Sequence, residues 1–154
     1  MKQKWMLFTI AAICFACTSS FAQNTNKPIA VFNHLAIYVV DMNKSGDFYM
    51  NIIGLDSMAE PFHDGKHIWL KTGPGNSLHI IKGAEVPRQY FKNNHMCFSL
   101  PSVEVFTEKL IKKGIPFEDL TGNKNVFSIR PDGIKQLWLQ DPDGYWVEIN
   151  DAKE

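Results

Sequence analysis

The sequence predicts an α+β fold made of two copies of one unit, each running strand, helix, then about three strands. Three observations carry that expectation. Asn33-His34-Leu35-Ala36-Ile37 returns as Asn94-His95-Met96-Cys97-Phe98. Ile68-Trp69-Leu70, with His79 ten positions after its Trp, returns as Leu137-Trp138-Leu139, with Glu148 ten positions after its own. Caps, turn signals and apolar periods then recur in the same order in both halves, and agreement across levels is what a foldable repeat shows. Each half therefore begins and ends on a side chain that can bind a divalent cation. His34, His79, His95 and Glu148 need a common explanation.

The first residues read as an export signal. Lys2 and Lys4 precede the apolar run from Trp5 to Cys17, and Ser20-Phe21-Ala22 offers small residues where a signal peptidase cuts, so residues 1–22 are expected to be removed after Ala22. The run is shorter than the roughly 20 residues that span a bilayer, and lipid attachment at Cys17 is the weaker alternative. Residues 23–30 are polar, carry no period and read as a flexible lead. The domain is expected over residues 31–151, with modules at 31–82 and 94–150.

Cleavage takes Lys2 and Lys4 from the 16 basic residues, leaving 14 against 16 acidic ones and a net charge near −2. A nucleic-acid partner, which needs a basic stripe, is not expected, nor is a membrane partner once the signal is gone. Of Cys14, Cys17 and Cys97 only the last remains, so no internal disulfide forms. Cys97 alternates with apolar neighbours and reads as a small buried residue.

The elements follow in order. A strand rich in β-branched and aromatic residues is expected from about Val31 to Val40. Asn43 or Ser45 can cap a helix carrying Phe48, Ile52 and Ile53 at helical spacing, with Gly54 as its stop. Strands at Ser57 to Phe62, Lys66 to Thr72 and Ser77 to Lys82 are separated by Asp64-Gly65 and Gly73-Pro74-Gly75. After a connector at 83–93 the order begins again. His95 to Leu100 is a strand, Ser102 caps a helix with Val103, Phe106 and Leu110 on one face, and Gly114 and Pro116 end it. Strands near Phe117, Val126 to Arg130, Ile134 to Gln140 and Tyr145 to Asn150 complete the copy.

Strand alternation then assigns faces. Leu35, Ile37 and Val39 point to the helix, leaving His34, Ala36 and Tyr38 opposite. Met96, Phe98 and Leu100 do the same in the second copy, leaving His95, Cys97 and Ser99. In the last strand Trp146, Glu148 and Asn150 share one face. An isolated buried carboxylate is costly, so Glu148 should pair, coordinate or become protonated. Four such side chains on inward faces would converge in one cavity.

These segments, together with Phe-Tyr-Met-Asn-Ile-Ile-Gly-Leu at 48–55 and the closing Gln-Asp-Pro-Asp-Gly-Tyr-Trp-Val-Glu-Ile at 140–149, resemble the vicinal oxygen chelate superfamily of glyoxalases, bleomycin-resistance proteins and extradiol dioxygenases. The resemblance implies two βαβββ modules forming a curved sheet around a divalent metal. It implies His34 and His79 as ligands from the first module, His95 and Glu148 from the second. Glyoxalase I-like members usually carry glutamate where this chain has His79, which leaves Glu148 as the carboxylate base. Members resembling ring-cleaving dioxygenases use two histidines and one glutamate, as His34, His95 and Glu148 would supply.

Three imidazoles and a carboxylate suit one divalent transition metal, Zn, Ni, Co, Fe(II) or Mn, better than Mg or Ca. Such an ion would act as a Lewis acid on a small substrate that chelates through adjacent oxygens. The expected function is an exported glyoxalase-like lyase, isomerase or epimerase. An Fe(II) dioxygenase and a non-catalytic binding or resistance protein are the alternatives. Around that site Arg130, Trp146 and Tyr38 are candidate substrate contacts, Arg130 with a structural ion pair to Asp132, Asp141 or Asp143 as its competing reading. Trp69 and Trp138 read as core pillars, His63 and His67 as surface residues near a turn, with a place in a loop bordering the cavity as their alternative. The site lies within one chain or across a homodimer.

Overall fold

The computed structural model describes residues 30–153. The predicted signal, its cut after Ala22 and residues 23–29 of the lead lie outside them. From Phe32 onward the chain is one compact unit. The first copy comprises β1 (His34–Val39), α1 (Met42–Asp47) with a π-helical continuation (Phe48–Ile53), β2 (Ser57–Met58), β3 (His67–Gly73) and β4 (Asn76–Lys82). The second comprises β5 (His95–Ser99), α2 (Val103–Lys113), β6 (Ser128–Ile129), β7 (Lys135–Gln140) and β8 (Trp146–Asn150).

Each copy makes its own four-stranded sheet, ordered β1-β4-β3-β2 and β5-β8-β7-β6. The first and last strand of each copy pair in parallel, and the other pairs are antiparallel. The predicted α+β duplication is therefore the observed fold, down to register. Trp69 lies opposite His79 and Trp138 opposite Glu148, while Ala36 lies opposite His79 and Cys97 opposite Glu148.

Local chemistry explains most boundaries. Ser102 caps α2 by accepting from the Val105 N–H at 3.2 Å, and Gly114 ends it at φ 65°, a left-handed conformation that glycine reaches without a Cβ penalty. The cap of α1 differs from the expected Asn43 or Ser45. Asp41 takes that role, accepting from the N–H groups of Asn43 and Lys44 at 3.0 and 3.2 Å, because Ser45 is buried and spends its hydroxyl on Asp143. The strand expected at Ser57 to Phe62 stops at Met58. Beyond it Glu60 turns the chain by accepting from the backbone N–H of both Phe62 and His63, each at 2.8 Å.

Helix-facing residues of both sheets enter one core. Ile37, Val39 and Ile80 of the first sheet join Leu137, Val147 and Ile149 of the second, with Tyr49, Phe106 and Leu110 from the helical segments. Each such side chain contributes roughly 1.5–3 kcal/mol relative to exposure. Because the two sheets share this core through their helix-facing sides, their other faces point away from it. Those are the faces that alternation gave to His34, His79, His95 and Glu148.

The turn between β7 and β8 fastens the copies together. Asp141 accepts from the Tyr49 hydroxyl at 2.9 Å and from its own turn's Asp143 and Tyr145 N–H groups at 2.9 and 2.8 Å. Asp143 accepts from the Ser45 hydroxyl at 2.8 Å and the Val40 N–H at 2.7 Å. Gly144 closes the turn at φ 89°, with a Cβ there only 2.4 Å from the Arg88 carbonyl oxygen. Gly144→Ala therefore meets strain and a backbone clash together, and urea denaturation should show it less stable by about 2 kcal/mol or more.

Candidate active site

The first pair sits on the open face of the first sheet. His34 on β1 and His79 on β4 stack with ring centres 4.2 Å apart and 9° from parallel, and Trp69 on β3 stacks on the other side of His79 at 3.9 Å and 3°. His34 Nδ1 lies 2.8 Å from the Asn33 side-chain oxygen, which takes its proton and leaves Nε2 bare. His79 Nε2 meets the Ser77 hydroxyl at 2.9 Å. Burial first, then the neighbouring His34 and His67, push the His79 pKa down, which favours the neutral ring that a metal needs. These residues line a cavity of about 830 Å³, and all of its lining residues come from the first copy.

The second pair is built differently. His95 on β5 places Nε2 2.9 Å from Glu148 Oε2 on β8, and its Nδ1 lies 2.8 Å from the Lys92 carbonyl. Glu148 is buried, and its other oxygen accepts from Asn150 Nδ2 at 3.1 Å. Cys97 shares this face and is exposed rather than buried, because the second sheet turns it away from the core. Partial desolvation of its sulfur by the surrounding side chains, then the adjacent Glu148 carboxylate, push its thiol up to about 12, so it is no thiolate nucleophile at neutral pH.

Among the described residues no group of three or more His, Cys, Asp or Glu side chains is placed to hold a metal. The four candidate ligands, expected in one cavity either within a chain or across a homodimer, lie within this chain as two separate pairs. Alternation chose the correct faces, but the sheets share a core through their backs, which a sequence period does not encode.

The chemistry of the donors fits a divalent transition metal. Two adjacent ligands about 2.1 Å from one ion stand about 3 Å apart, and His95 Nε2 and Glu148 Oε2 already have that spacing. His34 and His95 both hold Nδ1 on a protein oxygen, which orients the ring and leaves Nε2 to face outward. In the first pair only His34 meets that requirement, since His79 turns its Nε2 to the Ser77 hydroxyl; the two rings are stacked, and His34 is the exposed one.

The candidate substrate contacts fare unevenly. Arg130 donates to Asp132 at 2.6 Å, the structural pairing, and its charge lowers the Cys97 thiol pKa slightly against the larger upward push. Trp146 is tied down, donating to the Tyr90 carbonyl at 3.0 Å beneath the Lys92 ammonium. Tyr38 lies against Gly83, whose missing Cβ leaves it room, and lines a hollow with Gly83 and Arg88 instead of the His34 cavity. Trp138 is a buried pillar as expected, but Trp69 is a cavity wall. His63 is exposed, whereas His67 lines the cavity with its Nδ1 2.9 Å from Asp64 Oδ1. The Asp64 to His67 spacing across the turn was the sequence signal for that pair.

Known proteins share this fold. The chain is 27% identical over 152 residues to a lactoylglutathione lyase of Pseudomonas putida, an alignment spanning 77% of this chain and 83% of the relative. A lactoylglutathione lyase structure from Agrobacterium tumefaciens superposes with a TM-score of 0.59 at 22% identity, covering 80% of this chain and 95% of the other. A genomically encoded fosfomycin resistance protein of Listeria monocytogenes gives 0.63 at 20%, covering 81% and 95%. Residues 31–149 match the family model, and with two repeated sheets in one order and paired His/Glu donors, the chain belongs to the Glyoxalase/Bleomycin resistance protein/Dioxygenase superfamily.

Proposed function

We propose that this protein is an exported, metal-dependent lyase or isomerase of the glyoxalase type, acting on a small substrate that chelates through adjacent oxygens, with its site formed between two copies of the chain. The observation that carries the reading is the division of the donors into two pairs, His34/His79 and His95/Glu148, each on a face turned away from the shared core. Neither pair saturates a transition metal, which takes four or more ligands. A two-fold axis that lays the first sheet of one copy against the second sheet of its partner would complete two sites at once.

A bound divalent cation would stabilise negative charge developing on a substrate oxygen. The protein's own residues do the rest. His34 and His95 present Nε2, His79 stays neutral between Trp69 and His34, and Glu148, the carboxylate among the four donors, takes a proton and returns it. His95 beside it holds the carboxylate in place at 2.9 Å.

Protein purified without air and reloaded with Zn, Ni, Mn or Fe(II) tests the reading. One ion per chain, a homodimer in sedimentation, and isomerase or lyase turnover without O₂ consumption are expected. Oxygen uptake on a catechol would instead assign ring cleavage. A chain that binds none of these ions while still holding a cavity ligand would be a binding protein.

A further inference from the structure

The corner of the first-copy cavity farthest from the Ser77 end is more elaborately built than a surface turn needs. Glu60 grips two successive N–H groups, those of Phe62 and His63. Asp64 Oδ1 accepts from the Lys66 N–H at 2.9 Å and fixes His67 Nδ1 at the same distance. His63 sits in the left-handed region at φ 51°, a conformation that non-glycine residues hold only when neighbours impose it. What this scaffold displays is Phe62, 59% exposed beside the cavity, inclined over His67 at 4.6 Å and edge-on to Trp69 at 6.1 Å. The wall thereby runs His34, His79, Trp69, Phe62, His67, a continuous row of flat rings. Lys71 is the one cationic side chain of Lys or Arg type among the lining residues.

A row of rings with a single cation does not suit a ligand bearing several carboxylates, each of which would want its own partner. It suits one with a flat, unsaturated face, since ring pairs gain from offset and edge contacts. Resting on the chelating site proposed above, we infer that Phe62 and His67, held by Glu60 and Asp64, form a second recognition element that takes the flat ring-bearing part of the substrate. His67 is then a positioning residue, its tautomer set by Asp64 so that Nε2 is left for a polar group on that ring.

Hydroxamates test this, because acetohydroxamate offers vicinal oxygens alone while benzohydroxamate adds a ring. In calorimetric titration of the zinc-loaded protein, benzohydroxamate should bind about tenfold tighter or better. Cyclohexanecarbohydroxamate, equally apolar but not flat, should fall at least about threefold behind it. Phe62→Ala and His67→Ala should each erase most of the preference and leave acetohydroxamate unchanged. Equal affinity for all three ligands, or variants that weaken every ligand alike, would overturn the inference while the chelating site stands. Failure of acetohydroxamate itself to bind would contradict the chelating site and the inference with it.

Discussion

Glu148→Gln should abolish tight metal binding while leaving the fold in place. Glu148 is 7% exposed, and both its oxygens are engaged, one by His95 Nε2 at 2.9 Å and one by Asn150 Nδ2 at 3.1 Å. The amide keeps the shape and one carbonyl acceptor for Asn150, and it can donate to His95, so the metal-free protein should keep its stability to within about 1 kcal/mol. What is lost is the only anionic donor of the four. Metal affinity should fall by about 100-fold or more, since even an outer partner of a ligand is worth ~10–100-fold. Turnover should fall by ~10²–10⁴, the usual worth of a positioned base. Competition titration with a fluorescent zinc chelator, beside a urea melt, reads both quantities. Undiminished metal affinity would remove Glu148 from the site.

The second large effect concerns stability. Asp141→Ala strips acceptors from the Tyr49 hydroxyl and from the Asp143 and Tyr145 N–H groups in a turn where Asp141 itself is 5% exposed. At ~1–3 kcal/mol for each of the three groups left unsatisfied, the loss should be about 3–9 kcal/mol. Asp141→Asn retains an acceptor for the two N–H groups and should be far milder. It also exposes an unusual pH dependence. Burial, opposed by its three hydrogen bonds and reinforced by Asp143, raises the Asp141 carboxyl from 3.8 to about 6.

A folded-state pKa above the unfolded one means that the native protein binds the extra proton. Its contribution is therefore full below pH ~3.8 and is lost as pH rises through ~6. At about 1.4 kcal/mol per tenfold change in proton affinity the contribution amounts to ~3 kcal/mol. The stability of wild type relative to Asp141→Asn should accordingly decline between pH 4 and 7 in chemical denaturation. A difference independent of pH over that window would show that Asp141 titrates normally.

Much of this was legible because the duplication is local. Ser102, Gly54 and Gly114 marked helix ends by capping and left-handed geometry, and turn residues bounded the strands. Period-two alternation assigned His34, His79, His95 and Glu148 to the faces they occupy. What alternation cannot say is how one sheet lies against the other. That is set by long-range contacts such as Tyr49 with Asp141 and Ser45 with Asp143, 92 and 98 residues apart in the chain. The closing Asp-Pro-Asp-Gly is thereby explained as a fastening between copies, with no role in chelation. His67 could be given a place bordering the cavity only as an alternative, for a related reason. Its neighbour Asp64 was read as a turn former, and only the folded hairpin places His67 on the cavity wall next to Phe62.

The claim on which the functional account turns is that each site takes two donors from each of two chains. Subunit mixing tests it directly. The double variants His34→Ala/His79→Ala and His95→Ala/Glu148→Ala each lack one pair, and neither should bind zinc tightly alone. After equimolar mixing and subunit exchange, half of the dimers carry both variants and one intact site of two, so about a quarter of the wild-type tight zinc sites should reappear. No recovery on mixing, with subunit exchange demonstrated by a size or fluorescence tag, would contradict a site shared between chains.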